Sequence, residues 1–425
     1  MKISILSTYD SGGGAARSSH RLYRGLINNG KQVRFFTQNK RSDDPTDSKI
    51  SRLHKFINLL RPFLDNLPNL LYPKRERKGL FSCSIIPVSC WIKRSAFKAD
   101  ILNFHWVASG FISIESFKKV KAPIVWTLHD SWAFTGGCHL PENCINYYEK
   151  CGQCPQLNSS NKYDLSRINH KRKRNAWNEL NMTIVTPSRW LAECARKSSL
   201  FKNNRIEVIP NGIDISIFKP LDKKLARESL GLNASSRLIL FGAVDATSDI
   251  NKGFHFIEPM LKDLVMMPDM QDVKLIIFGA ANPANPIESD FDIHYIGRFN
   301  DDVALALIYS AADVMLVPSM QENLPNTVME SMSCGTPVVG FNIGGMSDLI
   351  DHNHNGYLAK AYDVQDLANG LHWAIRDENL SKQLGARSRS KIIDSFDISL
   401  ITQRYIKLFD ELINEDKSYK LLKKE

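Results

Sequence analysis

Short, mostly apolar runs recur along the chain and are separated by segments with helical spacing of apolar residues. A run without apolar–polar alternation predicts a parallel strand that is buried on both faces. Alternation of such strands with helices predicts βαβ units and therefore parallel sheets. Strands are predicted at 3–7, 33–37, 101–104, 124–128, 183–186, 206–209, 238–242, 274–278, 293–296, 314–317 and 338–341. Helices are predicted at 17–27, 187–196, 254–266, 301–311, 363–376, 379–391 and 398–416.

The most informative part of this pattern is residues 313–345. A strand is followed there by a loop, and Pro325 suits the first position of the next helix because its missing N–H group costs nothing. Glu322 lies in the loop and Glu330 in the helix. In doubly wound sheets, ligands bind at the loops that follow the carboxyl ends of strands. Both carboxylates are therefore candidates for a ligand site.

The first turn of this helix adds a preference for anions. The N–H groups of Asn326 and Thr327 point out of the helix N-terminus, where a negative charge is favoured. Carboxylates beside an anion site favour a ligand with hydroxyl groups as well as phosphate, that is, a nucleotide sugar. The alternative is that Glu322 and Glu330 are both solvated surface groups.

The order of residues in this stretch resembles the signature of one family. Val-Pro-Ser precedes Glu322, seven residues separate Glu322 from Glu330, and Cys-Gly-Thr-Pro-Val-Val-Gly follows from Cys334. The pattern is similar to that of retaining family 4 glycosyltransferases of the GT-B fold. The resemblance implies an α/β fold with two Rossmann-like domains and a cleft between them. It implies that Glu322 contacts the transferred sugar and that Glu330 binds the ribose.

Further site residues follow from the same resemblance. His129, at the end of the strand 124–128, corresponds to a histidine that approaches the sugar or the acceptor, and it joins Glu322 as a predicted catalytic residue. A glycine loop after the first strand is expected near the donor diphosphate and the acceptor. The implied donor-binding residues are Gly13, Gly14, Lys252, Arg298, Asn323, Leu324, Asn326, Thr327, Glu330 and Gly345.

Lys252 lies at a strand–loop–helix junction, where a compact positive charge can be placed over a diphosphate. Members of the family usually carry an arginine directly after the strand-end glycine, but Ala243 stands at that position here. Lys252, Arg298 or helix dipoles are expected to compensate; otherwise activity is lower. Arg298 either lies by the base or diphosphate or has a surface role.

Half of the chain's 8 cysteines lie within one short segment, as Cys138, Cys144, Cys151 and Cys154. The spacing includes a Cys-x2-Cys knuckle, which suits a structural zinc site closed by four thiolates. Similar Cys-rich loops occur in a bacterial polysaccharide and lipopolysaccharide subset of the family. Free thiols or a redox-sensitive pair are the alternatives. No catalytic cofactor is expected.

Composition adds an asymmetry of charge to a chain of 425 residues with net charge +10. Residues 1–200 carry 32 Lys and Arg against 14 Asp and Glu, a net +18, whereas residues 201–425 carry 23 against 31, a net −8. The first half is therefore expected to face something anionic. No nucleic-acid-binding motif accompanies the charge, so nucleic acid is not an expected partner. An anionic membrane surface with a lipid diphosphate fits better.

Residues 41–98 interrupt the strand–helix alternation as a basic insertion. Apolar residues at helical spacing run from Leu53 to Leu67, although Pro62 is expected to kink or break this helix. The segment either lies in a membrane interface or packs on the domain as a helical hairpin with a solvated charge run.

The predicted domains are an acceptor-side domain at 1–204, including a Cys-rich loop at 135–157, and a nucleotide-sugar domain at 205–397. A helix at 398–425 is predicted to cross back to the first domain. No run reaches the length of a membrane-spanning helix and the N-terminus does not resemble a signal peptide, so a cytoplasmic, peripheral location is expected.

The predicted function is transfer of a sugar from a nucleotide diphosphate to a lipid-linked glycan in bacterial surface polysaccharide synthesis. A soluble sugar or sugar-phosphate acceptor is one alternative. A non-enzymatic basic binding module with an inactive cleft is the other.

Overall fold

The computed structural model describes residues 1–41, 52–75, 79–243, 245–270, 272–280, 287–299 and 301–422. The chain divides into two compact units. Unit 1 is Met1–Pro210 together with Ile401–Glu425, and unit 2 is Asn211–Leu400. These boundaries lie a few residues from the domain limits that the sequence predicts.

Unit 1 is built on a sheet of six parallel strands in the order β2-β1-β3-β4-β5-β6. The order reverses between β1 and β3, which makes this pair a topological switch point. The strands are β1 (Lys2–Tyr9), β2 (Gln32–Asn39), β3 (Ile101–Phe104), β4 (Ile124–Thr127), β5 (Met182–Thr186) and β6 (Ile206–Val208). The helices are α1 (Gly14–Asn28), α2 (Arg52–Asn66), α3 (Cys90–Ala96), α4 (Leu165–Trp177) and α5 (Arg189–Lys197).

Unit 2 has a second six-stranded parallel sheet in the order β12-β11-β10-β7-β8-β9. Its switch point lies between β7 and β10, as in dinucleotide-binding folds. The strands are β7 (Arg237–Gly242), β8 (Val273–Phe278), β9 (Asp292–Gly297), β10 (Val314–Val317), β11 (Val338–Phe341) and β12 (Gly356–Ala359). The helices are α6 (Lys223–Ser229), α7 (Ile257–Val265), α8 (Asp302–Ala311), α9 (Asn326–Ser333), α10 (Met346–Leu349), α11 (Val364–Ile375) and α12 (Glu378–Phe396).

The last helix, α13 (Ile398–Leu422), starts at unit 2 and then belongs to the core of unit 1. Its Tyr405 and Phe409 are buried in one apolar cluster with residues of β1, α1 and β2. The Tyr405 hydroxyl also lies 3.0 Å from the Thr127 hydroxyl. The core of unit 1 therefore needs residues from both ends of the chain.

The fold class predicted from the sequence is confirmed, with corrections to single elements. Pro62 is predicted to kink or break its helix, but the helix is unbroken there, running through Pro62 as α2. Pro325 is the N-cap of α9 and not its first helical residue. The helix predicted at 254–266 starts with one 3₁₀ turn, Phe254–Phe256, and becomes α-helical at Ile257. Within the described ranges, no helix combines the length and apolarity needed to cross a bilayer.

Candidate active site

In unit 2, the loops after β7 and β10 flank the switch point of the sheet and are tied to each other. The Asn251 side-chain amide donates to the Gln321 carbonyl at 2.9 Å, and the Met320 N–H donates to the Asn251 carbonyl at 2.8 Å. Gly253 has a φ of +75°, and a Cβ atom there would lie 1.8 Å from the Pro318 carbonyl oxygen. Only glycine allows this close approach, so the two loops form one rigid frame.

This frame brings Lys252 and Glu322 into direct contact. The Lys252 ammonium lies 2.7 Å from Glu322 Oε1, and the Ser319 hydroxyl donates to the same oxygen at 3.0 Å. The side chains of Lys252 and Glu322 are 25% and 13% exposed. Burial alone would lower the pKa of Lys252, but attraction to Glu322 and the hydrogen bond that Lys252 donates to its carboxylate outweigh burial and raise that pKa. Lys252 is thus a fixed positive charge beside the carboxyl ends of the strands.

The glycine loop after β11 holds the backbone of Glu322. The Gly345 N–H donates to the Glu322 carbonyl at 3.0 Å. Gly344 has a φ of +50°, and a Cβ atom there would lie 1.8 Å from that same carbonyl oxygen. Glu322 is consequently positioned by three separate loops, which follow β7, β10 and β11.

The neighbouring donor-site predictions fall on one continuous stretch. Leu324 and Asn326 are buried, while Asn323 and Thr327 are half-buried. Pro325 caps α9 without a side-chain hydrogen bond, because proline has no polar side-chain group to offer. The N-terminus of α9 therefore retains the preference for an anion on which the sequence prediction depends.

Glu330 has a different environment from Glu322. It lies inside α9 with 2% exposure, and the fully buried Tyr309 donates a hydrogen bond to its Oε2 at 3.0 Å. The Tyr309 ring packs edge-on against Phe278. Tyr309 thus fixes the orientation of the Glu330 carboxylate. Contact between Glu330 and a ribose stays a prediction.

Arg298 lies just past the end of β9 and pairs with Asp245 on the loop after β7. Its guanidinium is 2.6 Å from Asp245 Oδ1, and the two side chains are 67% and 51% exposed. Asp245 lies two positions after Ala243, and Ala243 stands where the family that the sequence resembles carries an arginine. The ion pair therefore brings the positive charge of Arg298 close to that position. Arg298 therefore sits on the surface, next to the position that lacks the usual cation.

In unit 1, the predicted glycines lie at the switch point between β1 and β3. Gly13, with a φ of +148°, is the N-cap of α1, and Gly14 is the first residue of that helix. A Cβ atom at Gly13 would meet no heavy atom within 4 Å. Glycine is thus required there by backbone conformation and not by close packing.

His129 follows β4 and forms a hydrogen-bonded chain with two buried residues of the neighbouring strand and its loop. His105 Nδ1 is 2.9 Å from His129 Nε2, and His105 Nε2 is 2.9 Å from Asn103 Oδ1. The Asn103 amide nitrogen donates to the Val125 carbonyl and the Thr127 hydroxyl, so Asn103 Oδ1 is an acceptor. His105 Nε2 must then carry a proton, and His105 Nδ1 must accept a hydrogen bond from the N–H group of His129. His129 is therefore protonated on Nε2, and its Nδ1 carries the lone pair.

Electrostatics keep this chain neutral. Burial lowers the pKa of His129 to about 4, although the Asp130 carboxylate works in the opposite direction. Burial and the neighbouring His129 lower the pKa of His105 well below its usual value. Both imidazoles are therefore uncharged at neutral pH, as the hydrogen-bonding pattern requires.

The four predicted zinc ligands are not assembled into a metal site. Among the described residues, no group of three or more His, Cys, Asp or Glu side chains could hold a metal ion. Cys138 and Cys154 are instead buried in an apolar cluster with Phe81 and Leu157. Burial raises the pKa of the Cys151 thiol to about 12 and that of the Cys154 thiol to about 11. A structural zinc bound by the four cysteines stays a prediction.

Sequence reasoning missed several residues that position the site. Tyr309 donates a hydrogen bond to Glu330, and Ser319 donates one to Glu322. Asn251 links the loops after β7 and β10. Ser319 belongs to the Val-Pro-Ser motif, which is a local signal that could have identified it. Tyr309 lies 21 residues from its partner Glu330, and Asn251 lies 70 residues from its partner Gln321. No local sequence pattern indicates either contact.

Family models match the two halves of the chain separately. The model described as Glycosyltransferase Family 4 matches residues 12–217, and the one described as Glycosyl transferases group 1 matches residues 223–391. The first match lies within unit 1 except for its last few residues, and the second lies within unit 2. Together they cover both sheets except for strand β1.

Two curated relatives show the range of functions among similar sequences. The chain is 24% identical to N-acetyl-alpha-D-glucosaminyl L-malate synthase of Bacillus anthracis, over 52% of this chain and 57% of that protein. It is 27% identical to N,N'-diacetylbacillosaminyl-diphospho-undecaprenol alpha-1,3-N-acetylgalactosaminyltransferase of Campylobacter jejuni, over 52% of this chain and 58% of that protein. The matched segments thus span little more than half of these relatives.

Solved structures of two proteins share the fold over nearly the whole chain. Sucrose-phosphate synthase from Thermosynechococcus elongatus has a TM-score of 0.67 at 18% identity, covering 97% of this chain and 99% of that one. Anabaena HepE in complex with UDP-glucose has a TM-score of 0.61 at 17% identity, covering 97% and 100%. At such identities the likeness concerns the fold alone.

Proposed function

The chain belongs to the GT-B glycosyltransferases, with a family 4 segment followed by a group 1 segment, and from this premise we propose that it transfers a sugar from a nucleotide diphosphate to a hydroxyl of a lipid-linked glycan. The transfer retains the configuration of the sugar and serves the synthesis of a bacterial surface polysaccharide. The observation that carries the proposal is the Lys252–Glu322 pair at the switch point of unit 2.

The donor is held by unit 2 in this proposal. Lys252 and the N-terminus of α9 bind the diphosphate, and Arg298 supplies the charge that is missing at Ala243. Contacts of this kind strengthen as negative charge moves onto the departing phosphate, so they favour the transition state over the bound donor. Glu330, oriented by Tyr309, accepts hydrogen bonds from the ribose hydroxyls.

Sugar transfer itself needs no separate general base. The bond between the anomeric carbon and the phosphate oxygen breaks, and the acceptor hydroxyl attacks the same face of the sugar. The departing phosphate takes the proton of that hydroxyl. Glu322 orients the sugar, and His129 lies close to the sugar or the acceptor.

The donor and acceptor classes are supported by similar proteins. HepE binds UDP-glucose, which supports a UDP-sugar donor. The Campylobacter jejuni relative and an Escherichia coli galactosyltransferase have diphospho-undecaprenol in their names, which supports a lipid-linked acceptor and a peripheral location at the inner face of the cytoplasmic membrane.

A soluble acceptor is the second candidate. Other relatives are named for L-malate and D-inositol 3-phosphate as acceptors, both small and water-soluble. Under this alternative the donor site is unchanged and only the residues of unit 1 that meet the acceptor differ.

The proposal is tested by incubating the purified chain with a panel of nucleotide sugars, with and without a short-chain diphospholipid glycan. We expect release of free nucleotide from one donor, stimulated by the lipid-linked acceptor. Equal stimulation by a soluble sugar phosphate alone would favour the second candidate. Absence of release and transfer from every donor would contradict both and favour a binding module.

A further inference from the structure

Helix α2 and the 3₁₀ turn Leu67–Leu71 that follows it expose an unusual number of large apolar side chains. The most exposed are Phe56 at 62%, Leu59 at 71%, Phe63 at 65%, Leu70 at 68% and Leu71 at 79%. We call these five residues the apolar face of α2. Scattered exposed leucines are common, but a continuous group on one segment marks a surface that meets an apolar partner.

The opposite, buried side of the same segment is polar. Arg61 is 9% exposed and donates to the carbonyls of Gly110, Pro87 and Phe111 at 2.7, 2.6 and 3.1 Å. Asp65, 2% exposed, accepts from the N–H groups of Ser84 and Ile85 at 3.2 and 2.7 Å.

Two amides complete this buried polar side. The Asn58 amide donates to the Gln38 carbonyl at 2.6 Å. Asn69, 2% exposed, donates to the Phe81 carbonyl at 2.9 Å. The spacing from Asn58 to Arg61, Asp65 and Asn69 is helical, so these groups share one face of the segment.

This arrangement is the reverse of a surface helix in a globular protein, which turns its apolar stripe toward the core. Burial of Arg61 and Asp65 is costly and is compensated only by their specific hydrogen bonds. Burial lowers the pKa of Arg61 and raises that of Asp65, as expected for groups withdrawn from water. The polar contacts therefore hold α2 in one rotation, with its apolar face outward.

The positive charge near the apolar face of α2 favours an anionic lipid surface over a second copy of the chain as its partner. Lys74, exposed, and Arg75, half-buried, follow directly after the turn, and residues 1–200 carry a net charge of +18. Two copies of this chain meeting through the face would bring like charges together. An anionic lipid surface instead combines an apolar layer with negative head groups, and attracts each well-placed basic residue.

We propose that the apolar face of α2 inserts into the head-group boundary of an anionic bilayer, with α2 lying parallel to the membrane plane. The proposal deepens, and rests on, the proposed use of a lipid-linked acceptor, because it names the surface that brings unit 1 to the lipid. The proposal assigns membrane binding to the segment 52–75. None of the residues proposed to contact the donor or the sugar lies in this segment.

Vesicle sedimentation with the full-length chain tests the proposal. Vesicles of equal phosphatidylglycerol and phosphatidylcholine are compared with pure phosphatidylcholine at about 0.1 M salt, where charges beyond roughly 10 Å are screened. We expect binding to the anionic vesicles and weaker binding to the neutral ones. The combined substitutions Leu59→Ser, Phe63→Ser and Leu70→Ser should reduce partitioning at least about tenfold, because apolar area is lost without a change in net charge.

The matched control replaces two exposed apolar residues of unit 2, Met266 (84% exposed) and Val303 (63% exposed), with serine. This variant should bind like the unchanged chain. Circular dichroism should show equal helix content for all three proteins. As an independent readout, Leu59→Trp should shift its fluorescence to shorter wavelength when anionic vesicles are added.

Two results would overturn the proposal. One is equal vesicle binding by the triple serine variant and the unchanged chain. The other is a dimer in analytical ultracentrifugation that the triple variant converts to a monomer without altering vesicle binding, because a second copy would then cover the face. The assay contains neither donor nor acceptor, so failure of the proposed transferase activity and failure of membrane binding are observed separately.

Discussion

At the scale of single residues, Glu322 is held through both its side chain and its backbone. Lys252 and Ser319 bind its carboxylate, and Gly345 binds its carbonyl. The carboxylate can therefore stabilise charge in a fixed direction, which is worth more to catalysis than a mobile group because nothing reorganises during the reaction. In the proposed function, the Lys252 ammonium binds this carboxylate and also the donor diphosphate.

Glu322→Gln should lower turnover by about 10²–10³-fold while changing nucleotide affinity much less. Glutamine keeps the size of the side chain but leaves Lys252 without its opposite charge. Initial rates with a saturating donor measure the first effect and calorimetry with UDP the second. Ser319→Ala, which removes only one neutral donor, is the matched control and should lower turnover less than about tenfold. Turnover within threefold of the unchanged enzyme would contradict the role of Glu322.

Glu330→Gln should weaken UDP binding by about 10–100-fold, because hydrogen bonds to a charged acceptor contribute about 1.5–3 kcal/mol. The sharper test uses 2′-deoxy-UDP and 3′-deoxy-UDP. The unchanged protein should discriminate against at least one of them, and Glu330→Gln should lose that discrimination. Tyr309→Phe should retain part of it, since only the orienting hydrogen bond is removed. Full discrimination in Glu330→Gln would show that the carboxylate does not touch the ribose.

The buried histidines make stability depend on pH. The pKa values of His129 and His170 are lowered to about 4 by burial, and that of His105 is also lowered. The unfolded chain therefore binds more protons than the folded one as pH falls below about 6.5. Stability is fully present above that pH and should decrease by about 1.4 kcal/mol per pH unit for each histidine as the pH falls toward 4.

Urea unfolding followed by tryptophan fluorescence between pH 5 and about 6.5 measures this dependence. His129→Gln should give a shallower slope, because one titrating group is gone while a donor amide remains. Lys407→Gln, at an exposed position of α13, is the control and should leave the slope unchanged. An identical slope in His129→Gln would mean that this imidazole does not titrate abnormally.

The sequence predicts Glu322, Glu330 and His129 as site residues because each lies in a local pattern of strand end, turn or helix start. It predicts Lys252 as a donor-binding residue, but it does not predict which side chains contact Glu322 or His129. Lys252 lies 70 residues from Glu322, and His105 lies 24 residues from His129. Such contacts depend on which strands become neighbours, and this order is not encoded in any local spacing.

At the scale of elements, α2 shows that the orientation of a helix cannot be predicted from the spacing of its apolar residues alone. Helical spacing predicts which side chains share a face but not whether that face turns inward. The same ambiguity affects α4, where a basic run at 170–174 reads as a solvated face. His170 and Lys173 of that run are buried, and Lys173 donates to the Thr135 carbonyl at 3.0 Å. In both helices, hydrogen bonds to backbone carbonyls determine the orientation.

Arg61→Met should therefore destabilise the protein by about 3 kcal/mol, although methionine is the more apolar side chain. The substitution leaves the carbonyls of Gly110, Pro87 and Phe111 buried without their donor. Leu59→Ala, on the exposed side of the same helix, should change stability by less than about 0.5 kcal/mol. The urea concentration at the unfolding midpoint of each variant measures its loss of stability relative to the unchanged chain. The opposite ranking would mean that the apolar side of α2 is the buried one.

At the scale of the whole molecule, the alternation of strands and helices was sufficient to predict two parallel α/β units. The sheet orders, β2-β1-β3 in one unit and β10-β7-β8 in the other, place both sets of site residues at switch points. The sequence analysis did not predict β12, α3, α6 or α10, all of which are short. Motifs reveal the elements that carry ligand contacts, whereas elements that only complete a sheet or cover it leave weaker signals.

The two units should differ in their ability to fold alone. Residues 211–400 form one continuous unit with apolar clusters on both faces of their sheet, so this fragment should fold and bind UDP. Residues 1–210 lack Tyr405 and Phe409 of α13 and should expose the apolar surface that those side chains cover. Circular dichroism, thermal unfolding and calorimetry with UDP compare the fragments. The fragment 211–400 with Glu330→Gln is the binding control, and a peptide of residues 398–422 should increase the stability of 1–210. A cooperative thermal transition in 1–210 alone, unchanged by the peptide, would contradict a structural role for α13.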